Sequence, residues 1–209
     1  MREHYTEPEF SIVSELVVHQ RYLTLFNRRI RFPAVEARPE VEYDYDIVGH
    51  PQADFHFCVT FPFHPLPDGQ RGGEVTLLRE HCQGPNKMMF VLPTGSFDPK
   101  RHGGREACAR AELSEEAHLA GGEWQRLLPA DHAGLAEVKW SPNRFTPFLC
   151  IGPQADGMPG ARDAEEFIEV HRVGLAKLRA LMTGGDMLLP SVATCFLALD
   201  RLRCLGHID

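Results

Sequence analysis

Three glutamates in the segment Ala111–Leu119, AELSEEAHL, have a spacing that could support chemistry. Glu112, Glu115 and Glu116 occupy positions i, i+3 and i+4, and on a helix this spacing places their carboxylates on one face. Like charges so placed repel one another, so the carboxylates need a neutralising partner. Surface Lys or Arg could provide it, and so could Mg²⁺ or Mn²⁺, which prefer hard oxygen ligands. From spacing alone, the ordinary interpretation is a solvated helix surface.

The element that must position these glutamates is a helix predicted over residues 105–119. This segment contains good helix formers and no Gly or Pro, which favours a helix. Ala109, Leu113 and Ala117 form an apolar row on the other side, so the helix can pack while its acids face a cleft. The glycine pair at 121–122 is predicted to end the helix.

Strands are predicted on both sides of this helix. Apolar and polar residues alternate over 41–47 and 55–61, and Pro62 and Pro65 are expected to stop the second strand. Further strands are predicted at 74–79, 88–92, 146–151 and 166–173, with helices at 174–182 and after Pro190, the last N-capped by Ser191. This order of elements predicts an α/β or α+β fold with a mixed sheet.

Composition limits the classes of partner. The chain has 209 residues, 43% of them hydrophobic, and a net charge of −7, as in a globular protein of one domain or one domain with a small appendage. No nucleic-acid partner is expected, because binding a phosphate backbone requires clustered Lys and Arg. No apolar run approaches the roughly 18 residues of a membrane span, so no membrane partner is expected. The absence of a signal-peptide pattern and six scattered cysteines, expected to be buried free thiols, predict a cytoplasmic protein.

The loop ahead of the predicted helix changes the interpretation of the glutamates. The segment 92–99, LPTGSFDP, places a strand end and Gly95 before the helix. These segments resemble the Nudix hydrolase family, whose box reads G-x5-E-x7-R-E-U-x-E-E-x-G-U, with U an aliphatic residue. Gly95 resembles the opening glycine, and residues 112–119 match E-U-x-E-E-x-x-U.

The resemblance extends through most of the chain, and the N-terminal layout is similar to that of ADP-ribose and nucleotide-sugar pyrophosphatases. It implies a Nudix fold, a mixed β-sheet sandwiched between helices. It also implies an N-terminal antiparallel β extension over residues 1–50 and a core over residues 51–209. In similar proteins such an extension commonly takes part in a dimer, so a homodimer is expected.

The activity that the resemblance implies is metal-dependent hydrolysis of a diphosphate, in ADP-ribose or a related nucleoside diphosphate sugar. Glu112, Glu115 and Glu116 would hold Mg²⁺ or Mn²⁺. Glu116 or Glu166 would accept the proton of the attacking water, with Asp163 and Glu165 as alternatives to Glu166. Gly95 is expected to contact substrate, as are the basic residues Arg79, Lys87, Lys100 and Arg101, for which plain surface charge is the alternative. A base of the substrate could stack on Tyr22, Phe26 or Phe32, for which core packing is the alternative.

The chain departs from the family's box at particular positions. Ala111 stands where the box has Arg, His118 where it has Gly, and Gly103 where its first Glu belongs. In the family that Arg helps to orient a metal-binding Glu, so its loss removes a supporting contact of the kind that affects metal affinity; Arg105 or Arg110 could compensate. These departures favour an alternative function, a Nudix-fold nucleotide-binding or regulatory module with impaired catalysis.

Overall fold

The structure is a computed structural model that describes residues 9–35, 37–162 and 167–209. These ranges contain three α-helices: α1 (Arg105–Ala117), α2 (Leu175–Gly184) and α3 (Leu189–Cys204). None of them is long and apolar enough to cross a membrane. The strands in these ranges are β1 (Ser11–Gln20), β2 (Thr24–Phe32), β3 (Val41–Gly49), β4 (His56–Pro65), β5 (Gly73–Cys82), β6 (Lys87–Val91), β7 (Thr94–Ser96), β8 (Leu119–Ala120), β9 (Glu123–Arg126), β10 (Leu135–Ala136), β11 (Arg144–Ile151), β12 (Gln154–Ala155) and β13 (Ile168–Gly174).

A mixed sheet forms the centre of the structure. Its strand order is β10-β11-β4-β5-β13, with β6 paired to β5, β7 to β4 and β9 to β11. Strands β4 and β11 run parallel, whereas the other pairs in this sheet run antiparallel. The predicted fold class, a mixed α and β architecture, is therefore confirmed.

Helices α1 and α3 cover opposite faces of the sheet, because side chains alternate along each strand. On β4, Cys58 is buried with Cys108 and Ala109 of α1. The neighbouring Val59 and Phe61 point the other way, into the larger core to which α3 contributes. The side chains on this face of β4 therefore pack α1 against β4 and β7, the strands that lie closest to its acidic residues.

The expected end of β4 at Pro62 is wrong. The strand continues to Pro65, although proline has no N–H to give to a sheet. The N–H of Thr60 donates to Pro93 O at 2.9 Å, so the nitrogen of Pro62 faces the same side two residues later. At Pro62, β4 no longer pairs with β7 and does not yet pair with β5, whose pairing begins at Phe63. The missing N–H of Pro62 therefore costs no hydrogen bond between strands.

Two expected helix boundaries are also corrected. Helix α1 ends at Ala117, before the predicted glycine pair, and its C-cap His118 adopts a left-handed conformation with φ of 55°. Ser191 does not cap α3, whose N-cap is Leu188. The Ser191 hydroxyl instead accepts the N–H of Leu92 at 3.0 Å, so tertiary packing uses the side chain that the local pattern assigned to the helix end.

The three strands β1, β2 and β3 form a separate antiparallel sheet. Phe26 and Ile47 are buried at the end of this sheet nearest the core, where Phe26 packs against Phe55 with ring centroids 6.2 Å apart. By contrast, β1 is exposed along its whole length. The division of the chain at residues 50 and 51 stays a prediction.

Two buried histidines make the stability of this fold sensitive to acid. His56 and His64 each place Nε2 2.8 Å from a threonine hydroxyl, and burial lowers the pKa of each imidazole to about 4. In the unfolded chain the histidine pKa is about 6.5. Between pH 6.5 and 4 the unfolded chain therefore binds protons that the folded chain does not, so the unfolding free energy falls as the pH falls.

We expect His64→Gln to reduce the loss of unfolding free energy between about pH 7 and about pH 5, measured by denaturant unfolding at the two pH values. His81 is exposed, and His81→Gln is the matched control that should leave the pH dependence as it is. An unfolding free energy that is the same at both pH values in the unsubstituted protein would contradict the prediction.

Candidate functional site

Two carboxylates of α1 converge on the backbone of β7. Glu116 is only 4% exposed, and its Oε2 accepts the N–H of Thr94 at 2.8 Å. The side chain of Glu112 lies directly against Gly95, where any Cβ would collide with its carboxyl group. Residue 95 must therefore be glycine for Glu112 to reach this position, and the two carboxylates meet at adjacent residues, Thr94 and Gly95.

Glu115, the third predicted metal ligand, packs against a different segment. Its side chain contacts the position where a Cβ of Gly160 would stand. Within the described ranges, no group of three His, Cys, Asp or Glu side chains is placed to hold a metal ion. The pair of Glu112 and Glu116 nevertheless fits Mg²⁺ or Mn²⁺ in its donor chemistry, since Mg²⁺ is usually bound through one or two carboxylates, waters and substrate phosphates.

The segment after β12 is fastened to the C-terminal half of α1. The Ser114 hydroxyl donates to Asp156 Oδ2 at 2.7 Å and accepts the N–H of Gly160 at 3.1 Å. The hydrogen bond from Ser114 lowers the pKa of Asp156 below its usual value. This fastening holds Gly160 against Glu115.

Arg162 completes the attachment at the end of α1. Its guanidinium donates to the carbonyl oxygens of Glu116 at 2.5 Å, Glu115 at 3.3 Å and Ile168 at 3.4 Å. The last turn of α1 has no basic residue of its own, and a cation at a helix C-terminus offsets the negative end of the helix dipole. Arg162 thus supplies positive charge beside the turn that carries Glu115 and Glu116.

We expect Arg162→Ala to lower the unfolding free energy by about 1–2 kcal/mol, measured by denaturant unfolding, because the last turn of α1 loses the cation at its C-terminus. Arg110→Ala is the matched control, because Arg110 lies on the same helix but pairs with Glu106 and stacks over Trp124. Equal losses of unfolding free energy in the two variants would contradict this role of Arg162.

A cavity of about 370 Å³ lies beside the carboxylate pair. The segment Thr94–Ser96 lines it, and Glu112 and Glu116 touch the same backbone without being among the described residues of its wall. The other wall residues lie at or next to strand ends of the first and central sheets and at the start of α3: Tyr22, Leu23, His50, His56, Phe57, Gln83, Val91, Glu137, Asn143, Leu188, Pro190 and Ser191.

Hydrogen bonds connect the polar wall of this cavity. The N–H of His50 donates to Asn143 Oδ1 at 3.0 Å, and Asn143 Nδ2 donates to Glu137 Oε2 at 3.0 Å. The His50 ring packs on Tyr22, with ring centroids 4.6 Å apart. Burial lowers the pKa of His50, as it does that of His56, so both imidazoles are neutral at neutral pH. The wall is therefore aromatic and hydrogen-bonding rather than cationic.

The predicted substrate-binding residues are dispersed. Gly95 lines the cavity, whereas Lys100 and Arg101 are exposed in the loop before α1. Arg79 donates to Glu169 at 3.0 Å, which lowers the pKa of that carboxyl group. Glu166 lies outside the described residues, together with Asp163 and Glu165, and their roles stay predictions.

Of the three aromatic residues considered for stacking, Tyr22 lines the cavity and is 72% exposed. Phe26 is in the core, and Phe32 packs against Phe10 and Tyr43. Sequence analysis did not single out His50, Glu137 or Asn143. No local pattern marks them, because they come from chain segments that only the tertiary structure brings together.

The structure shows the backbone conformation and the neighbours at the positions that depart from the box. His118 adopts the left-handed conformation that favours glycine, which accounts for a glycine at this place in the box; histidine tolerates it better than most residues. Gly103 has open space around it, with nothing within 4 Å of a built Cβ. Arg110, considered as a replacement for the Arg missing at 111, is engaged with Glu106 and Trp124.

Comparison with solved structures identifies the fold. No protein-family model matches the chain, and a search of curated proteins finds no match. A crystal structure described as an ADP compounds hydrolase matches with a TM-score of 0.70 at 17% identity, over 99% of this chain and 100% of that one. The NUDIX domain of Shewanella oneidensis NrtR, crystallised in complex with ADP ribose, matches with a TM-score of 0.50 at 15% identity, over 70% of this chain and 87% of that one. The chain has a Nudix fold, as predicted from its sequence.

Proposed function

We propose that this chain is a hydrolase dependent on Mg²⁺ or Mn²⁺ that cleaves the diphosphate of ADP-ribose or a related nucleoside diphosphate sugar. The observation that carries the proposal is the convergence of Glu112 and Glu116 on Thr94 and Gly95, beside a cavity. The solved structures of similar fold support it, since one is described as an ADP compounds hydrolase and the other holds ADP ribose.

The pair would have two roles, cation binding and acceptance of a proton. Glu112 and Glu116 would hold the cation, which would neutralise phosphate charge and acidify a bound water. The N–H of Thr94 fixes one oxygen of Glu116, so this carboxylate is oriented before any ligand arrives. Either Glu116 or Glu166 would accept the proton of the attacking water. The neighbouring cavity would receive one organic end of the substrate, while the diphosphate lies at the carboxylates.

The test is release of nucleoside monophosphate from a panel of nucleoside diphosphate sugars that includes ADP-ribose. We expect turnover with Mg²⁺ or Mn²⁺ and none with excess chelator. Failure to hydrolyse any member of the panel with either metal would overturn the proposal.

A second candidate function is a nucleotide-binding or regulatory module without efficient catalysis. It is favoured by the separation of Glu115 from the other two carboxylates and by Ala111 and Gly103 in place of charged residues. This function predicts that ADP-ribose raises the melting temperature of the protein without being hydrolysed. Hydrolysis that depends on Glu116 would exclude it.

We also propose that the chain forms a homodimer through the sheet of β1, β2 and β3. Register places Ile12, Ile30 and Tyr43 side by side on one face, and Ile12 and Tyr43 are 57% and 54% exposed. On the opposite face, Arg29 pairs with Asp44 at 2.9 Å. Exposed apolar side chains bordered by charged residues are typical of an interaction surface.

We expect Ile12→Asp to convert the dimer to a monomer, because a second copy would have to bury the new carboxylate without a partner. Light scattering after gel filtration measures the mass. Ser14→Asp on the same strand is the matched control, since Ser14 is opposite Arg29 on the charged face. A monomeric unsubstituted protein, or a dimer unaffected by Ile12→Asp, would contradict this interface.

A further inference from the structure

The wall of the cavity carries one carboxylate that the proposed hydrolysis does not use. Among the described wall residues, Glu137 is the one with a formal charge at neutral pH, because neither Lys nor Arg lines the cavity and both histidines have a lowered pKa. Glu137 lies between β10 and β11, away from the helix that carries Glu112 and Glu116. Its charge therefore acts on whatever part of a ligand enters this cavity.

Glu137 is fixed by its neighbours through one of its two oxygens. Oε2 accepts hydrogen bonds from Asn143 Nδ2 at 3.0 Å and from the Ser141 hydroxyl at 3.4 Å. The backbone N–H of Glu137 also donates to Asn143 O at 3.1 Å. No described residue donates to Oε1, so this oxygen is held in place with capacity to accept a further hydrogen bond.

The described residues of the wall offer a phosphate group no cationic side chain. The start of α3 reaches the cavity, and its first turn has one N–H donor fewer than usual because Pro190 has none. The N–H of Val192 is already bonded to Leu188 O at 3.0 Å. A phosphate here would meet the Glu137 carboxylate without a cationic side chain among the described wall residues to offset the repulsion.

We propose that Glu137 binds the organic end of the substrate that enters the cavity, by accepting a hydrogen bond from a ribose hydroxyl or an exocyclic amino group, and that it excludes a substrate that carries a phosphate on that end. Acidic side chains bind ribose hydroxyls in this way in nucleotide-binding sites, and the rings of Tyr22 and His50 provide a surface for a flat base. The inference rests on the proposed function, which supplies a substrate with such an end.

The test uses calorimetric binding of uncharged and phosphorylated probes to the full chain. Adenosine carries both candidate donors, 2′,3′-dideoxyadenosine lacks the hydroxyls, purine riboside lacks the amino group, and adenosine 2′-monophosphate adds a phosphate. We expect adenosine to bind about 10-fold or more tightly than at least one of the two depleted analogues and than the 2′-monophosphate. The analogue that loses affinity identifies the group that Glu137 recognises.

Glu137→Gln should remove most of the preference for adenosine over the depleted analogue. It should also reduce the difference in affinity between adenosine and adenosine 2′-monophosphate. Glu123→Gln on β9 is the matched control, since Glu123 is exposed and does not line the cavity, and it should leave all four affinities unchanged. Equal binding of all probes, no binding of adenosine, or an unchanged preference in Glu137→Gln would each overturn the inference. Selective binding without any turnover would overturn only the proposed hydrolysis, whereas turnover without selectivity would overturn only the role of Glu137.

Discussion

Glu116→Gln is expected to lower the turnover number about 10²–10⁴-fold, the range over which a general base contributes, while the protein stays folded. Glutamine has nearly the same shape, and its amide oxygen can accept the N–H of Thr94 that Glu116 accepts now. The negative charge that holds a cation or takes a proton is lost. Steady-state release of nucleoside monophosphate measures the effect, and thermal unfolding checks the fold.

Glu115→Gln is the matched control for this result, because Glu115 is on the same helix turn but packs against Gly160. We expect a smaller loss of turnover than in Glu116→Gln. Equal losses would show that Glu115 belongs to the metal site as the sequence predicts. Undiminished turnover in Glu116→Gln would contradict the proposed chemistry at this carboxylate.

Gly95→Ala is expected to reduce turnover about as strongly as Glu112→Gln does. A Cβ at residue 95 would occupy the place of the Glu112 carboxyl group, so Glu112 has to swing away from the site. The displaced atoms are the end of a flexible side chain, and the cost in unfolding free energy should be about 1 kcal/mol, the lower end for overpacking. Activity and denaturant unfolding, measured on the same preparation, separate the two effects.

A double variant tests whether this collision is the cause. In the background of Glu112→Ala, the substitution Gly95→Ala should cost almost no further stability, because the colliding group is absent. Gly103→Ala is the control, since nothing lies within 4 Å of a Cβ at that position. Full activity in Gly95→Ala would contradict the placement of Glu112 at the site.

Local patterns of apolar and polar residues in the sequence predicted most helices and strands of the fold. Strand β3 and the start of β4 follow from alternation, and α1 follows from the run of helix formers between Gly104 and His118. The local rules were wrong at Pro62 and Ser191, where neighbouring strands and helices determine which backbone groups need a partner. Such partners come from distant segments, so no rule based on adjacent residues includes them.

The spacing of Glu112, Glu115 and Glu116 is enough to place them on one side of a helix, because helix geometry fixes the angle between residues three and four positions apart. The packing of α1 against the sheet brings Glu116 to Thr94 and Glu112 to Gly95, whereas Glu115 contacts Gly160. Tertiary structure also decided that the cavity joins His50 to Asn143, 93 residues later in the chain. These contacts depend on how strands pair and how a helix packs across them, and spacing along the chain does not encode distances between separate elements.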